Sequence, residues 1–312
     1  MAATTLSNAP SRPRFIDAPA PACPLCDDGG TRTMFFPAVA QAYEGCPPWP
    51  EHVKFYCPLC HYIWSDRLAG LDLASYGDLY VTANTSAQRR PNERMPASPL
   101  LLEHLLGASN GRRFLDYGVG YNGGYIEAVR ATGIDLLGCD ISSAVTYGKS
   151  VLRLPDQWAR LCEESFDGIF SQDVIEHFNN PVEDHRRLAS LLRPGGLILS
   201  STPVLEKVWD GREPIRETTW LLTPWHVSLH SSTAMRLIAD RAGLEFVDTI
   251  PVPTDTRWAF LLRRPGGAAF DSAARRESEL NDLRGKLRAL SLDLPLADRA
   301  CGSSNHSRGG RV

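Results

Sequence analysis

From Arg113 onward the apolar positions fall into short runs separated by longer amphipathic stretches. Phe114-Leu-Asp116, Leu136 to Asp140, Phe166 to Gln172 and Leu197 to Ser201 have strand length, while Gly124 to Thr132 and Val182 to Leu192 carry helical spacing between them. Strands that alternate with helices predict a parallel sheet covered on both faces. Ser231 to Ala242 predicts a further amphipathic helix stopped by Gly243, and Phe246 to Ile250 with Trp258 to Leu262 predicts a closing pair of strands. Upstream, Leu71 to Tyr80 and Pro99 to Leu106 read as lead-in helices around a polar stretch from Thr82 to Pro96. Residues 1–20 are rich in Ala, Pro, Ser and Thr and predict a disordered leader. Ser272 to Leu292 is charged and helical by pattern, and the last dozen residues read as disordered. The expected organisation is a leader over 1–20, a compact module over 21–68, an α/β domain over 69–265 and a helical and disordered tail over 266–312.

Composition narrows the class. With 43% hydrophobic and 22% charged residues in 312, the chain is ordinary for a soluble globular protein. A net charge of -3 and a pI near 6.2 provide no overall attraction for nucleic acid, which is therefore not a favoured partner. No apolar run approaches the roughly eighteen residues of a membrane span, and the N-terminus has no signal-peptide pattern, so a cytoplasmic protein is expected. Four of the eight cysteines fall in paired C-x-x-C knuckles, which in a reducing compartment favours metal over disulfide.

The densest chemistry lies in Asp116-Tyr-Gly-Val-Gly-Tyr-Asn-Gly123 followed by Gly138-Cys-Asp140. Gly118, Gly120 and Gly123 stand in G-x-G-x-x-G register with Asp140 about twenty residues on, which by spacing alone fits a dinucleotide. Asp116 separates the readings. It stands at the strand end where a dinucleotide would bring its pyrophosphate, and a carboxylate there repels a diphosphate but suits a cation. S-adenosylmethionine carries a sulfonium and an ammonium and no phosphate. Asp140 is then the acceptor for the ribose hydroxyls, and Gln172 and Asp173 join the candidate cofactor-binding set. A glycine-rich loop with no ligand is the bland alternative.

Cys23-Pro-Leu-Cys26 and Cys57-Pro-Leu-Cys60 are near-identical knuckles with thirty residues between them. Each places two thiolates on one ion, and the pair completes a tetrahedral site with no open position, so a structural zinc-ribbon-like module is expected. Cys46 and His61 are spare ligands. Cys139, Cys162 and Cys301 read as packing or tail residues.

From about residue 98 to 250 these features together resemble a class I S-adenosylmethionine-dependent methyltransferase. The resemblance is carried by the Asp116 to Gly123 turn, Asp140, Phe166-Asp-Gly-Ile-Phe, Val174-Ile-Glu-His177, and Leu192-Arg-Pro-Gly-Gly196 before Ser201-Thr-Pro203. It implies a doubly wound Rossmann-like sheet with the cofactor over the carboxyl ends of the first strands. The double C-x-x-C module ahead of such a domain is also similar to sugar C-methyltransferases on nucleotide-linked deoxysugars, whose further C-terminal domain is not matched here. Only twenty-five residues separate Asp140 from Phe166, so Ser150 to Leu154 reads as a stunted third strand; Trp158 either covers the adenine or sits in the core.

Asp173, Glu176 and His177 follow the fourth strand, on one face if they form a helical turn. His177 is a candidate general base with His226 as second histidine and Glu176 beside them. Alternatively Asp173, Glu176, His177 and His226 hold a divalent cation, as in methyltransferases of catechols or RNA 3′ ends, or the Glu-His pair merely orders its loop. Trp220, Trp225, His226 and His230 are expected to roof the pocket, with Tyr76, Tyr80 and Tyr121 at its entrance. The expected function is methyl transfer to a small-molecule acceptor, perhaps a sugar or secondary metabolite. Two alternatives stay open: an RNA or protein methyltransferase gripping its substrate with the zinc module, and an inactive methyltransferase-fold binding protein. Oligomeric state is not legible; the charged tail helix either pairs with a partner or a second copy or, as expected of such a charge pattern, stands in solvent.

Overall fold

Phe114, Leu115 and Asp116 are buried on both sides of a central strand, as the continuous apolar run requires of a parallel sheet. The computed structural model describes residues 12–39, 48–67, 97–107, 111–120, 124–142, 149–215, 218–251, 257–266, 277–278 and 281–286. In chain order the strands are β1 (Arg14–Ile16), β2 (Arg32–Phe36), β3 (His52–Cys57), β4 (Tyr62–Trp64), β5 (Arg113–Tyr117), β6 (Asp135–Asp140), β7 (Val151–Arg153), β8 (Phe166–Gln172), β9 (Leu192–Pro203), β10 (Ser228–Leu229), β11 (Glu245–Pro251) and β12 (Arg257–Arg263). The helices are α1 (Ala97–Leu106), α2 (Gly124–Arg130), α3 (Pro181–Leu191), α4 (Leu205–Val208), α5 (Thr219–Leu222) and α6 (Ser232–Arg241).

The large sheet has the order β11-β12-β9-β8-β5-β6-β7. β9, β8, β5, β6 and β7 pair in parallel, and β12 runs antiparallel to both neighbours. This is the doubly wound α/β sheet expected, including the short third strand and the closing pair. The strand order turns back between β5 and β8, and such a switch point opens a crevice at the carboxyl ends of the strands. Local signals set the flanking helices. Asn180 caps α3 by accepting the Glu183 N–H, and Pro181 occupies the first turn. α6 ends in a Schellman pair, Leu244 N–H to Ala239 O at 2.8 Å and Gly243 N–H to Asp240 O at 3.1 Å, with Gly243 at φ +73.

The second sheet, β1-β2-β3-β4-β10, is antiparallel and takes its last strand from beyond β9. Ser228 and Leu229 pair with Trp64 and Ile63, so the cysteine module and the large domain share a sheet. The Ser231 hydroxyl, which also caps α6, donates to Cys60 O at 2.7 Å. A buried chain runs from the Tyr62 hydroxyl to Ser228 Oγ and on to His230 Nε2, each step 2.8 Å.

Two expectations need correction. Part of the presumed leader is structured: Arg14–Ile16 pairs with β2, because Phe15 packs against Tyr56 and Trp209 beneath the Arg32 guanidinium. The tail helix is not left in solvent: in its described segments Leu283 is buried in the core with Leu105, and Arg284 donates to Val247 O at 3.0 Å. Leu71 to Tyr80, Tyr121, Gly123, Cys46 and Cys301 lie outside the described residues. Among the described residues no helix is long and apolar enough to cross a membrane.

Candidate functional site

β5 delivers Asp116 to the crevice as a completely buried carboxyl. The Tyr125 hydroxyl, one turn into α2, donates to Oδ2, and Oδ1 is buried with no partner. Burial, and then the charge of Asp140, hold its pKa well above the usual carboxylate range. A buried carboxyl with an orphaned oxygen fits a cationic ligand, which would restore its charged form. The glycine turn is shaped by backbone contacts. Gly118 and Val119 N–H donate to Cys139 O at 2.9 and 3.1 Å, with Gly118 at φ +86 and Gly120 at φ +65. A Cβ on Gly118 would run into Val174 Cγ2.

Asp140 closes the turn. Its Oδ2 accepts the Gly120 N–H and its Oδ1 the Ser142 N–H, both at 2.7 Å. The carboxylate oxygens only accept, which makes Asp140 an acceptor suited to vicinal hydroxyls. Burial raises Asp140 as well, opposed by these N–H bonds. Gln172 ends β8. Asp173 follows at φ +55, its N–H on Ser201 O at 2.8 Å, a left-handed conformation uncommon for a non-glycine residue. Trp158 packs against the core.

The expected helical turn after β8 is a 3-10 turn over Ile175–His177, with Asp173 outside it. Glu176 is completely buried; its Oε2 accepts the Thr202 hydroxyl at 2.8 Å and its Oε1 has no partner. His177 Nδ1 lies 2.9 Å from Trp225 O, and His226 Nδ1 lies 3.0 Å from Trp220 O. A carbonyl only accepts, so Nδ1 carries the proton in each ring and the neutral tautomer presents Nε2 as an acceptor. The rings meet edge to face with centroids 5.1 Å apart, and Trp220 stacks on His226 at 4.8 Å. Burial pushes His177 down to about 4, and burial, then His177 and Lys54, push His226 well below the usual imidazole value. Burial, then Asp173, raises Glu176 well above the carboxylate range. A carboxylate oxygen of Glu176 and one ring nitrogen each of His177 and His226 lie within 4.8 Å of one another. His230 does not join them; its partner is Ser228, at the module boundary.

Lys54 was not legible as a site residue. It shares the inward phase of β3 with His52 and Tyr56, and its wholly buried ammonium donates to Leu221 O, Thr223 O and His226 O at 2.7, 2.8 and 3.0 Å. A lysine on the apolar phase of an alternating strand was the available signal. Tyr125 and Thr202, the hydroxyls on the two buried carboxyls, carried none.

The four cysteines converge. Cys23 and Cys60 sulfurs are 3.6 Å apart, Cys26 and Cys57 sulfurs 3.5 Å, and all four lie within 4.8 Å. Zinc–sulfur bonds of about 2.3 Å in a tetrahedron separate the sulfurs by roughly 3.8 Å, so the set fits that ion. His61 stands apart, engaged by the Tyr56 hydroxyl at 2.8 Å and Trp209 O at 3.1 Å.

Comparison with known proteins points the same way. The family described as "Methyltransferase domain" matches residues 89–249. A curated relative, the ubiquinone biosynthesis O-methyltransferase of Alkalilimnicola ehrlichii, is 29% identical over 121 residues, covering 34% of this chain and 48% of the relative. The chain thus spans about half the length of that relative. Among solved structures, Haemonchus contortus phosphoethanolamine N-methyltransferase 2 with S-adenosyl-L-methionine is 16% identical, with TM-score 0.48 over 77% of this chain and 70% of that one. An S-adenosylmethionine-dependent methyltransferase from Mesorhizobium loti is 20% identical, with TM-score 0.41 over 55% and 99%.

Proposed function

The chain belongs to the methyltransferase-domain family, and on that premise we propose that it transfers the methyl group of S-adenosyl-L-methionine to a hydroxyl oxygen of a small-molecule acceptor, with His177 and His226 receiving the acceptor's proton. The single observation that carries the proton role is the contact between the half-buried His177 imidazole and the buried His226 imidazole, each with Nδ1 on a backbone carbonyl. The choice of oxygen follows the name of the curated relative. Asp116, Gly118, Gly120, Gly123, Asp140, Gln172 and Asp173 would hold the cofactor, which when bound supplies an electrophilic methyl carbon on a sulfonium. Asp116 would meet the ammonium and Asp140 the ribose hydroxyls.

An Nε2 acceptor on His177 or His226 takes the hydrogen bond of the acceptor hydroxyl and so aims an oxygen lone pair. Imidazoles weakened by burial do not ionise an ordinary hydroxyl beforehand. An acceptor oxygen that gained the methyl carbon would be a far stronger acid than imidazolium, and Nε2 would take its proton to leave the neutral methyl ether. Positioning in a water-poor site then contributes most of the rate. The four-cysteine cluster is read as a structural zinc site that holds β3, β4 and β10 in place.

A second reading has an observation of its own. Glu176, whose Oε1 has no partner, brings a carboxylate oxygen within 4.8 Å of one nitrogen of each histidine, a set that fits a divalent cation, which would supply a Lewis acid for the acceptor oxygen. Calorimetry with S-adenosylmethionine and transfer of labelled methyl to hydroxyl-bearing metabolites test the main reading, with and without added Mg²⁺ or Mn²⁺. Asp116→Ala and Asp140→Ala should lose cofactor binding, whereas His177→Ala and His226→Ala should lose turnover only. No cofactor binding by the unaltered chain, or full activity in both histidine variants, would refute it.

A further inference from the structure

Arg67 lies just past β4, tied by its backbone N–H to Ser65 Oγ at 3.1 Å. Its guanidinium carbon sits 4.9 Å from the centre of the Trp225 ring. A guanidinium stacked on an indole has its face occupied, so its N–H donors radiate from the edge. Arg67 Nε is shut off from solvent with no hydrogen-bond partner, and the same is true of Trp225 Nε1. Two buried N–H donors without an acceptor therefore meet in one stacked pair.

Charge reinforces the point. Elsewhere arginines of this chain pair with carboxylates, as Arg193 does with Asp167 at 2.7 Å and Arg130 with Asp135 at 2.9 Å. Among the described residues no carboxylate pairs with Arg67. The next cation, Lys54, is bonded only to neutral carbonyls. Neither cation has a carboxylate partner among the described residues, and for the stacked guanidinium that arrangement is unfavourable unless a ligand completes it. That ligand must bring negative charge and several acceptor oxygens, the chemistry of a carboxylate or a phosphate. Trp225 also fixes its location, because its own carbonyl holds His177 Nδ1 at 2.9 Å. One residue thus touches the cationic donor with its ring and the methyl-transfer histidine with its backbone.

We infer that Arg67 and the indole N–H of Trp225 form an anion subsite of the acceptor pocket, so that the molecule methylated carries a carboxylate or phosphate in addition to its hydroxyl. The inference rests on the methyl-transfer reading for the word acceptor, but the anion site itself does not. The cofactor's own carboxylate is the other possible source of the same chemistry. The Asp116 to Gly120 turn, which would hold that end of the cofactor, belongs to β5, whereas Trp225 follows β9.

The test is calorimetry on the full chain saturated with S-adenosylhomocysteine, titrated with 4-hydroxybenzoate, its neutral methyl ester, phenyl phosphate and inorganic phosphate. At least one anionic aromatic probe should bind about tenfold or more tighter than the ester, and Arg67→Gln should weaken it about 10- to 100-fold, as for loss of a charge-assisted pair. Arg67→Lys, which keeps the charge without the fork, should fall between. Anion binding should also quench tryptophan fluorescence, and Trp225→Phe should remove that change. Equal affinity of Arg67→Gln and the unaltered chain overturns the proposal, as does failure of every anion to bind. A loss of S-adenosylhomocysteine affinity in Arg67→Gln assigns the site to the cofactor and overturns the acceptor claim. An unaltered chain that binds the anions through Arg67 but not the cofactor would instead sink the methyl-transfer reading and leave the anion site standing.

Discussion

Replacing Lys54 by Met keeps an unbranched side chain one heavy atom shorter and removes its three donors. The carbonyls of Leu221, Thr223 and His226 would each lose the ammonium, at about 1–3 kcal/mol apiece and least for Thr223, whose carbonyl also accepts the His226 N–H at 3.3 Å. Part of that loss is offset because an ammonium need no longer be desolvated, a relief of several kcal/mol, which leaves a net destabilisation of roughly 2–4 kcal/mol. For a chain of this size that corresponds to a fall in Tm of about 3–6 °C, measurable by scanning fluorimetry. Because one of the three carbonyls belongs to His226, turnover should fall while the Kd for S-adenosylmethionine stays unchanged. The pH dependence provides a separate check. Burial, then Arg67, push the Lys54 ammonium from 10.5 down to about 7, against three carbonyls that favour the charged form. Its folded value lies below its unfolded one, so between about pH 7 and 10.5 the unfolded chain holds more protons and this group makes stability rise with pH. Lys54→Met should lose that upward slope. A variant with Tm within about 2 °C of the parent, the same pH slope and the same turnover would refute the strut, since no unsatisfied carbonyl would remain to explain.

Three further outcomes are expected. Burial, then Asp140, push Asp116 toward its protonated form, so pairing its carboxylate with the cofactor's ammonium should be accompanied by proton release; affinity should climb with pH through its raised value, and Asp116→Asn should bind weakly with a flat profile in calorimetry across buffers of different ionisation heat. Elemental analysis should find one zinc per chain, and because β10 and Cys60 O tie the cysteine module to the large domain, Cys57→Ser should lower methyl transfer as well as Tm; unchanged turnover in a zinc-free chain would contradict this. Gly118→Ala should destabilise by about 1–3 kcal/mol and weaken cofactor binding, since φ +86 and the Val174 contact both oppose a side chain, and denaturant titration reads the first effect directly.

The parts of this fold that can be read without coordinates are those whose signal is local. β5, β6, β8 and β9 are central strands covered on both faces, so each carries a short apolar run, such as Phe114-Leu115, Leu136-Leu137, Ile169-Phe170 and Leu197 to Leu199, and α3 and α6 carry their own caps in Asn180 and Ser231. β10 has two residues and β1 three, too few to make a pattern, and both exist only because a partner strand waits for them. The helical turn expected at Asp173 became a 3-10 turn because Asp173 takes a left-handed conformation with its N–H on Ser201 O. No periodicity announces that bond.

Within the candidate site the division is the same. Asp116, the glycines and Asp140 are legible because a strand, a turn and the next strand bring them together within one βαβ unit, and the two C-x-x-C knuckles are legible because one ion wants four thiolates at fixed separation. The meeting of His177 with His226, the Lys54 strut beneath them and the Arg67–Trp225 stack arise from segments far apart in the chain. Such contacts are set by how β10 closes the module's sheet against the large domain. Sequence by itself singled out the candidate residues for a nucleoside cofactor and a zinc ion, since those choices follow from local spacing and charge. Only the tertiary structure decided which buried groups are left without a partner, because satisfaction of a polar atom depends on every segment packed around it and not on the one that carries it.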